Sequence, residues 1–155
     1  LFDLAKPSPA TRQRLRRWLQ ANAFGCLQRS VWVSPDPCPE IGSLLEGRTG
    51  HPCELIMFEA KSVDGFSDGV ELAKSAWDFD AINAGYQAYI DFVKTAPARQ
   101  RAGEIDIDWV LREGEVWHSA VMRDPLLPIE LVPKGYMGKQ AWSARRKLLP
   151  HTRGK

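Results

Sequence analysis

Three groups of side chains in this sequence are of types that do chemistry. Glu104, Asp106 and Asp108 alternate, a pattern that suggests carboxylates gathered around a divalent cation. On a helix, residues two apart do not share a face, so these acids are expected instead to complement the dipole of a helix N-terminus. Cys38, His51 and Cys53 are metal-ligand types, but their spacing matches no standard zinc pattern and no metal site is expected. Cys26, Cys38 and Cys53 are odd in number and form no Cys-x-x-Cys pair, which points to reduced, structural thiols. The third group is Arg12, Arg14, Arg16 and Arg17. Arg12 with Arg16, and Arg14 with Arg17, are spaced for two adjacent phosphate contacts. The apolar residues of the same segment are needed for packing, and the chain holds no helix-turn-helix pattern, so sequence-specific DNA reading is not expected from it. Gly47 to Gly50 lack the lysine and following helix of a phosphate-binding loop, and no nucleophile sits in an elbow or triad pattern. The chain does not read as an enzyme, and no cofactor is implied.

The charge distribution narrows the partners. Net charge is only +2, but residues 1–30 carry six basic side chains against Asp3 alone, and residues 134–155 carry seven against none. Basic ends suit phosphates, of nucleic acid or of a charged small molecule. A hydrophobic fraction of 44% with 26% charged residues over 155 positions is globular composition. There is no membrane-length apolar run and no signal peptide, so a cytoplasmic protein without a membrane partner is expected.

These residues need elements to position them. The first residues read as the end of a buried strand cut off partway, so further sequence is expected before Leu1. Leu15, Trp18, Leu19 and Ala23 recur at helical spacing, predicting a helix from Pro9 with Ser8 as N-cap and Gly25 ending the run. Gly25 to Pro35 reads as one bent strand or a tight strand pair, Pro39–Glu46 as a short helix and Cys53–Ala60 as a strand. The order predicts an α+β fold, a ferredoxin-like βαββαβ domain over residues 1–64, closed by the turn-rich Gly65–Gly69. A small all-helical domain is expected over residues 70–150. Its helices run through Leu72, Ala73 and Ala76; through Ile82, Tyr86, Tyr89, Ile90 and Val93, with Asp80 as N-cap; from Ile105 to Met122, with Ile105, Trp109, Val116 and Ala120 on one side; and from Lys139 to Leu149. Between the last two, Pro125, Pro128 and Pro133 rule out a continuous helix or central strand and predict a rigid connector in which Leu126, Leu127, Leu131 and Val132 bury apolar weight.

That connector carries a resemblance. Arg123-Asp124-Pro125-Leu126-Leu127-Pro128-Ile129-Glu130-Leu131-Val132-Pro133, followed by Gly135-Tyr136-Met137-Gly138, resembles the signature near the C-terminus of the PaaX family, bacterial repressors of aromatic-acid catabolism operons. Glu71 to Asp80 resembles the PaaX segment that ends in a Trp-Asp-x-Asp turn. Phe2-Asp3-Leu4, the arginine-rich helix, Phe24-Gly25 and Leu27 to Trp32 look like the PaaX central domain, itself similar to the small CRISPR spacer-acquisition subunit. The chain departs from the family at His118-Ser119, where a pair of arginines is expected, and at Tyr136, which replaces the usual tryptophan.

The resemblance implies the dimerisation and effector-sensing portion of a repressor of phenylacetate catabolism genes. Its partners would be a second copy of itself, an aryl-CoA effector such as phenylacetyl-CoA, and DNA, reached through an N-terminal winged-helix domain that this chain lacks. For such an effector, Arg123, Lys139, Arg145 and Arg146 are the candidate phosphate contacts, and Trp109, Trp117 and Trp142 the candidate apolar slot. Trp117, Arg123, Lys139, Trp142 and Arg145 form the expected effector-binding set. The alternatives are a metal-dependent nuclease, on the analogy of Asp3 with the CRISPR subunit's paired aspartates, and a purely structural dimerisation module.

Overall fold

The computed structural model describes residues 9–28, 30–36, 59–60 and 64–149. The expected helix over Pro39–Glu46, the core of the strand over Cys53–Ala60, Ser8 as a cap, and Asp3, Cys38, His51 and Cys53 lie outside them. The first part is a helix, α1 (Pro9–Ala21), and an antiparallel hairpin of β1 (Gly25–Gln28) and β2 (Val31–Val33). Cys26 pairs with Trp32 and Gln28 with Val31, leaving Leu27 as a bulge. The α+β class therefore stands, and the segment from Gly25 is a strand pair. The full βαββαβ order extends beyond the described residues.

α1 ends at Ala21, two residues short of the expected Ala23. Its close is a left-handed Ala23 (φ 58°), with the amide of Phe24 donating back to the carbonyl of Leu19 at 3.0 Å, a Schellman-type end built without glycine. Gly25 serves a different purpose. A Cβ there would lie 2.7 Å from the Cβ of Ala76 and from the ring of Trp77, so only glycine lets β1 approach the next helix so closely. Trp77 completes the junction, its indole N–H donating to the carbonyl of Ala23 at 2.9 Å.

Among the described residues five helices follow: α2 (Gly69–Ala76), α3 (Phe79–Val93), α4 (Ala98–Arg101), α5 (Ile107–Val121) and α6 (Gly138–Leu148). The connector between α5 and α6 contains one 3-10 turn, Ile129–Leu131. Among the described residues no helix is long and apolar enough to cross a membrane. Three of these helices start after an aspartate. Asp68 caps α2 by accepting from the amide of Glu71 (2.8 Å). Asp78, not Asp80, caps α3 by accepting from Ala81 (3.0 Å), which leaves Asp80 in the first turn. Asp106 caps α5 by accepting from Trp109 (3.1 Å). The side-chain acceptor fills one of the helix's orphan donors in each case. Because α5 starts at Ile107, Glu104 and Ile105 precede it, and Ile105 is 64% exposed, not on the buried side.

α3 is the central element, packed against both α5 and α6. Phe79, Ile82, Tyr86 and Tyr89 form its buried stripe, meeting Trp117 and Ala120 of α5 and Ala141 of α6. The connector is neither a continuous helix nor a strand; Leu126 points outward, 56% exposed at φ 52°, while Leu127 and Val132 pack on the core.

Candidate functional site

Two buried carboxylates organise the helical part. Asp124 of the Arg-Asp-Pro motif, 4% exposed, accepts from the hydroxyls of Tyr86 and Tyr136 and from the amide of Leu126 at 2.9 Å. Its carboxylate thus ties α3 to both ends of the connector. Burial, and then the negative acceptor, push both tyrosines well above the ordinary tyrosine range. Glu113, 1% exposed, accepts from the Tyr89 hydroxyl at 2.6 Å and from Nε and a terminal nitrogen of Arg145 at 2.8 and 3.3 Å. The Tyr89 hydroxyl is raised by burial and then by Glu113, while the bond to Glu113 holds the Arg145 guanidinium above its usual value. Arg145 also lies 4.8 Å over the Trp117 ring.

Trp117 is closed in by this arrangement. Tyr86, Tyr89 and Trp142 pack around it at centroid distances of 6.1, 4.8 and 4.5 Å. A third polar knot clamps the far end. Buried Gln100 donates to the carbonyl of Leu148 (2.7 Å) and accepts from the amide of Asp106 (2.9 Å), and Asp106 is paired with Arg99 at 2.6 Å. Burying a polar group is tolerable only when it is bonded in this way.

The outer face of α6 is different. Gly138 and Ala141 turn inward, and a Cβ on Gly138 would overlap the ring and hydroxyl of Tyr136. Beside them, Lys139, Trp142, Ser143, Arg146 and Lys147, with Tyr136 and Gly138 at the edge, line an open groove of about 550 Å³. A second hollow of about 520 Å³ adjoins it across the row Lys139, Ser143 and Lys147, and is lined also by Val93, Gln140 and Ala144. Among the described residues, no carboxylate lines either one. The groove has three cations, the hydroxyls of Ser143 and Tyr136 and the side chain of Trp142, which is 39% exposed, a lining whose charge suits an anion.

Of the residues the sequence nominated for an effector, Lys139 and Trp142 meet in this groove, with Arg146 beside them. Trp117 is core, Arg145 is engaged with Glu113, and Arg123 is an exposed residue of the turn after α5 that does not line the groove. Trp109 is 7% exposed, stacked on Phe92 at 5.6 Å. Ser143, Lys147 and Tyr136 were not nominated as lining residues. The signal that would have found the first two is the i, i+4, i+8 row from Lys139. Glu113 was legible too, as an acid on the same helical stripe as Trp109 and Trp117.

Among the described residues, no group of three or more His, Cys, Asp or Glu side chains is placed to hold a metal ion. Cys26 is a free, half-buried thiol whose Sγ donates to the carbonyl of Gln28 at 3.1 Å.

Residues 1–73 match the PaaX protein central Cas2-like domain, and residues 77–154 match the PaaX-like protein C-terminal domain. Neither the curated proteins nor the solved structures give a significant match. The Asp124 pivot and the groove on α6 both lie within the C-terminal match. With both domain matches in sequence order over nearly its whole length, the chain belongs to the PaaX family of transcriptional regulators of phenylacetic acid catabolism.

Proposed function

We propose that this chain is the dimerisation and effector-sensing portion of a PaaX-like repressor, and that the groove on α6 is where an aryl-CoA acts. The reading divides the chain into a central domain over residues 1–64 and a sensing domain over residues 70–150. It places DNA contact on a winged-helix domain outside this chain, the working form as a homodimer and the site of action in the cytoplasm. The observation that carries it is the carboxylate-free groove in which Lys139, Arg146 and Lys147 surround the exposed Trp142. A CoA ester brings phosphates and rings together, the pair of groups such a lining recognises. A ligand of this kind releases a repressor by binding one of two arrangements more tightly, so the difference in affinity is what shifts the population.

The test is a thermal-shift titration with phenylacetyl-CoA against phenylacetate. At a ligand concentration about 100 times Kd, binding to the folded state alone stabilises by about 2.7 kcal/mol. For a chain of this length that raises the melting temperature by roughly 5–10 °C. No shift with phenylacetyl-CoA at millimolar concentration removes the effector-sensing reading.

A further inference from the structure

We propose that the outward face of α5 is the surface through which two copies of this chain associate, packed antiparallel about a two-fold axis at Gly114. The inference rests on the homodimer reading above and deepens it by naming the surface. Of the eight large apolar side chains left exposed among the described residues, four, Ile105, Ile107, Leu111 and Met122, lie on α5 or next to it. Ile107, Leu111 and Met122 share one stripe with Gly114 and His118, at i, i+4, i+15, i+7 and i+11. The opposite stripe of the helix, Trp109, Glu113, Trp117 and Ala120, is already buried. α5 is therefore apolar on two sides, and the second side serves a contact outside the core.

Gly114 points to a second α5 as the occupant. It is the eighth of the fifteen residues of the helix, an interior position where glycine is unfavourable. A Cβ there would enter open space, so packing among the described residues does not call for glycine, whereas a second backbone drawing close at that point does. Because Gly114 is the midpoint, a two-fold axis there lays the helix on itself. Ile107 then meets the partner's Val121 and Met122, and Leu111 meets the partner's His118. The charges fix the direction. Asp108, Arg112 and Glu115 are exposed on one flank of the stripe and Arg123 at its C-terminal end, and among the described residues none of the four is in an ion pair. Antiparallel packing sets Arg112 against the partner's Glu115, twice, and Asp108 toward the end that carries the partner's Arg123; parallel packing would set each charge against its own kind. A helix pair about 22 Å long buries less than the roughly 800 Å² per partner of a standard interface, which places the dimer in the micromolar range.

The experiment is sedimentation velocity of the full chain from low to high micromolar concentration, with urea unfolding of the dilute monomer beside it. A reversible monomer–dimer equilibrium is expected. Leu111→Glu should weaken it by about a hundredfold with the monomer's urea midpoint retained, because a two-fold interface carries each substitution twice. Arg112→Glu should weaken it by about five- to tenfold, and adding Glu115→Arg in the same chain should restore it. Gly114→Ala should weaken the dimer while raising the monomer's midpoint, opposite effects that a purely structural role for the position would not give. A dimer indifferent to Leu111→Glu and Gly114→Ala would overturn this inference and leave the homodimer reading standing on another face. A chain that stays monomeric at every concentration would overturn both. Loss of the monomer's fold in Leu111→Glu, with no restoration by the charge exchange, would mean that the chain itself covers the stripe, and would overturn the inference.

Discussion

Replacing Asp124 with alanine removes the acceptor shared by three donors from two separate parts of the chain. Tyr86 is fully buried, so its hydroxyl cannot turn to water, and leaving it unsatisfied costs about 1–3 kcal/mol. The hydroxyl of half-buried Tyr136 and the amide of Leu126 recover part of their bonding from solvent, but each loses a bond to an ionised acceptor, the stronger kind, at about 1 kcal/mol net apiece. The sum is about 3–5 kcal/mol, a large fraction of the roughly 5–15 kcal/mol that holds a domain folded. Asp124→Asn keeps one acceptor oxygen and the side-chain volume, and should lose about 1–2 kcal/mol. Urea unfolding followed by tryptophan fluorescence measures both. A double-mutant cycle of Asp124→Ala with Tyr136→Phe should return a coupling of about 1 kcal/mol, since the two side chains touch directly. An Asp124→Ala loss below about 1 kcal/mol, or one equal to that of Asp124→Asn, would refute the assignment of Asp124 as the pivot of the connector.

The chain has three tyrosines, and Tyr86, Tyr89 and Tyr136 are all held above the ordinary value of 10 by burial and a carboxylate acceptor. Their stabilisation is complete below the unfolded value and lost as pH rises, because the unfolded chain releases protons the folded chain retains. Urea midpoints should fall above about pH 10 at up to roughly 1.4 kcal/mol per pH unit per tyrosine. Absorbance at 295 nm should report tyrosinate only as unfolding proceeds, and tyrosinate appearing in the folded protein near pH 10 would contradict the packing. Glu113→Gln keeps an acceptor for Tyr89 but ends the ion pair with Arg145, for an expected loss of about 1–3 kcal/mol in urea unfolding. Gly25→Ala forces β1 away from Ala76 and Trp77 and should cost about 1–3 kcal/mol; Trp77 emission, whose indole bond to Ala23 depends on that approach, should shift red.

The elements that read correctly from sequence are those whose apolar residues recur over several turns. α1, α3, α5 and α6 each carry such a stripe, because burial of one face is a property of the segment itself. Their ends did not read so well. Asp78 and Asp80 are equally good caps by type, and choosing between them takes the position of Trp77, fixed by a bond to Ala23 across 54 residues. Ile105 suits the apolar stripe of α5, yet Asp106 is held by Gln100 and Arg99, which starts the helix after it. Leu126 is apolar inside a family signature, but Asp124 accepts from its amide and turns its side chain outward. In each case a tertiary contact overrides a local preference.

The same reason divides the candidate effector residues. Arg145 and Arg146 are adjacent and chemically identical, but about 100° apart around a helix. The first turns to buried Glu113 and the second to the groove. A sequence cannot separate them by type, although an acid on the stripe between Trp109 and Trp117 already requires a buried basic partner, since an unpaired carboxylate there would be prohibitively desolvated. Trp117 and Trp142 differ likewise, the inner one packed against Tyr86 and Tyr89 and the outer one leaning on it while partly exposed to solvent. The buried pair builds the surface that the exposed pair presents. Removing Glu113 or Trp117 would therefore reach the groove through the packing of α6, whereas Lys139 and Arg146 line it directly. Mutations on the two sides of α6 should separate stability from binding.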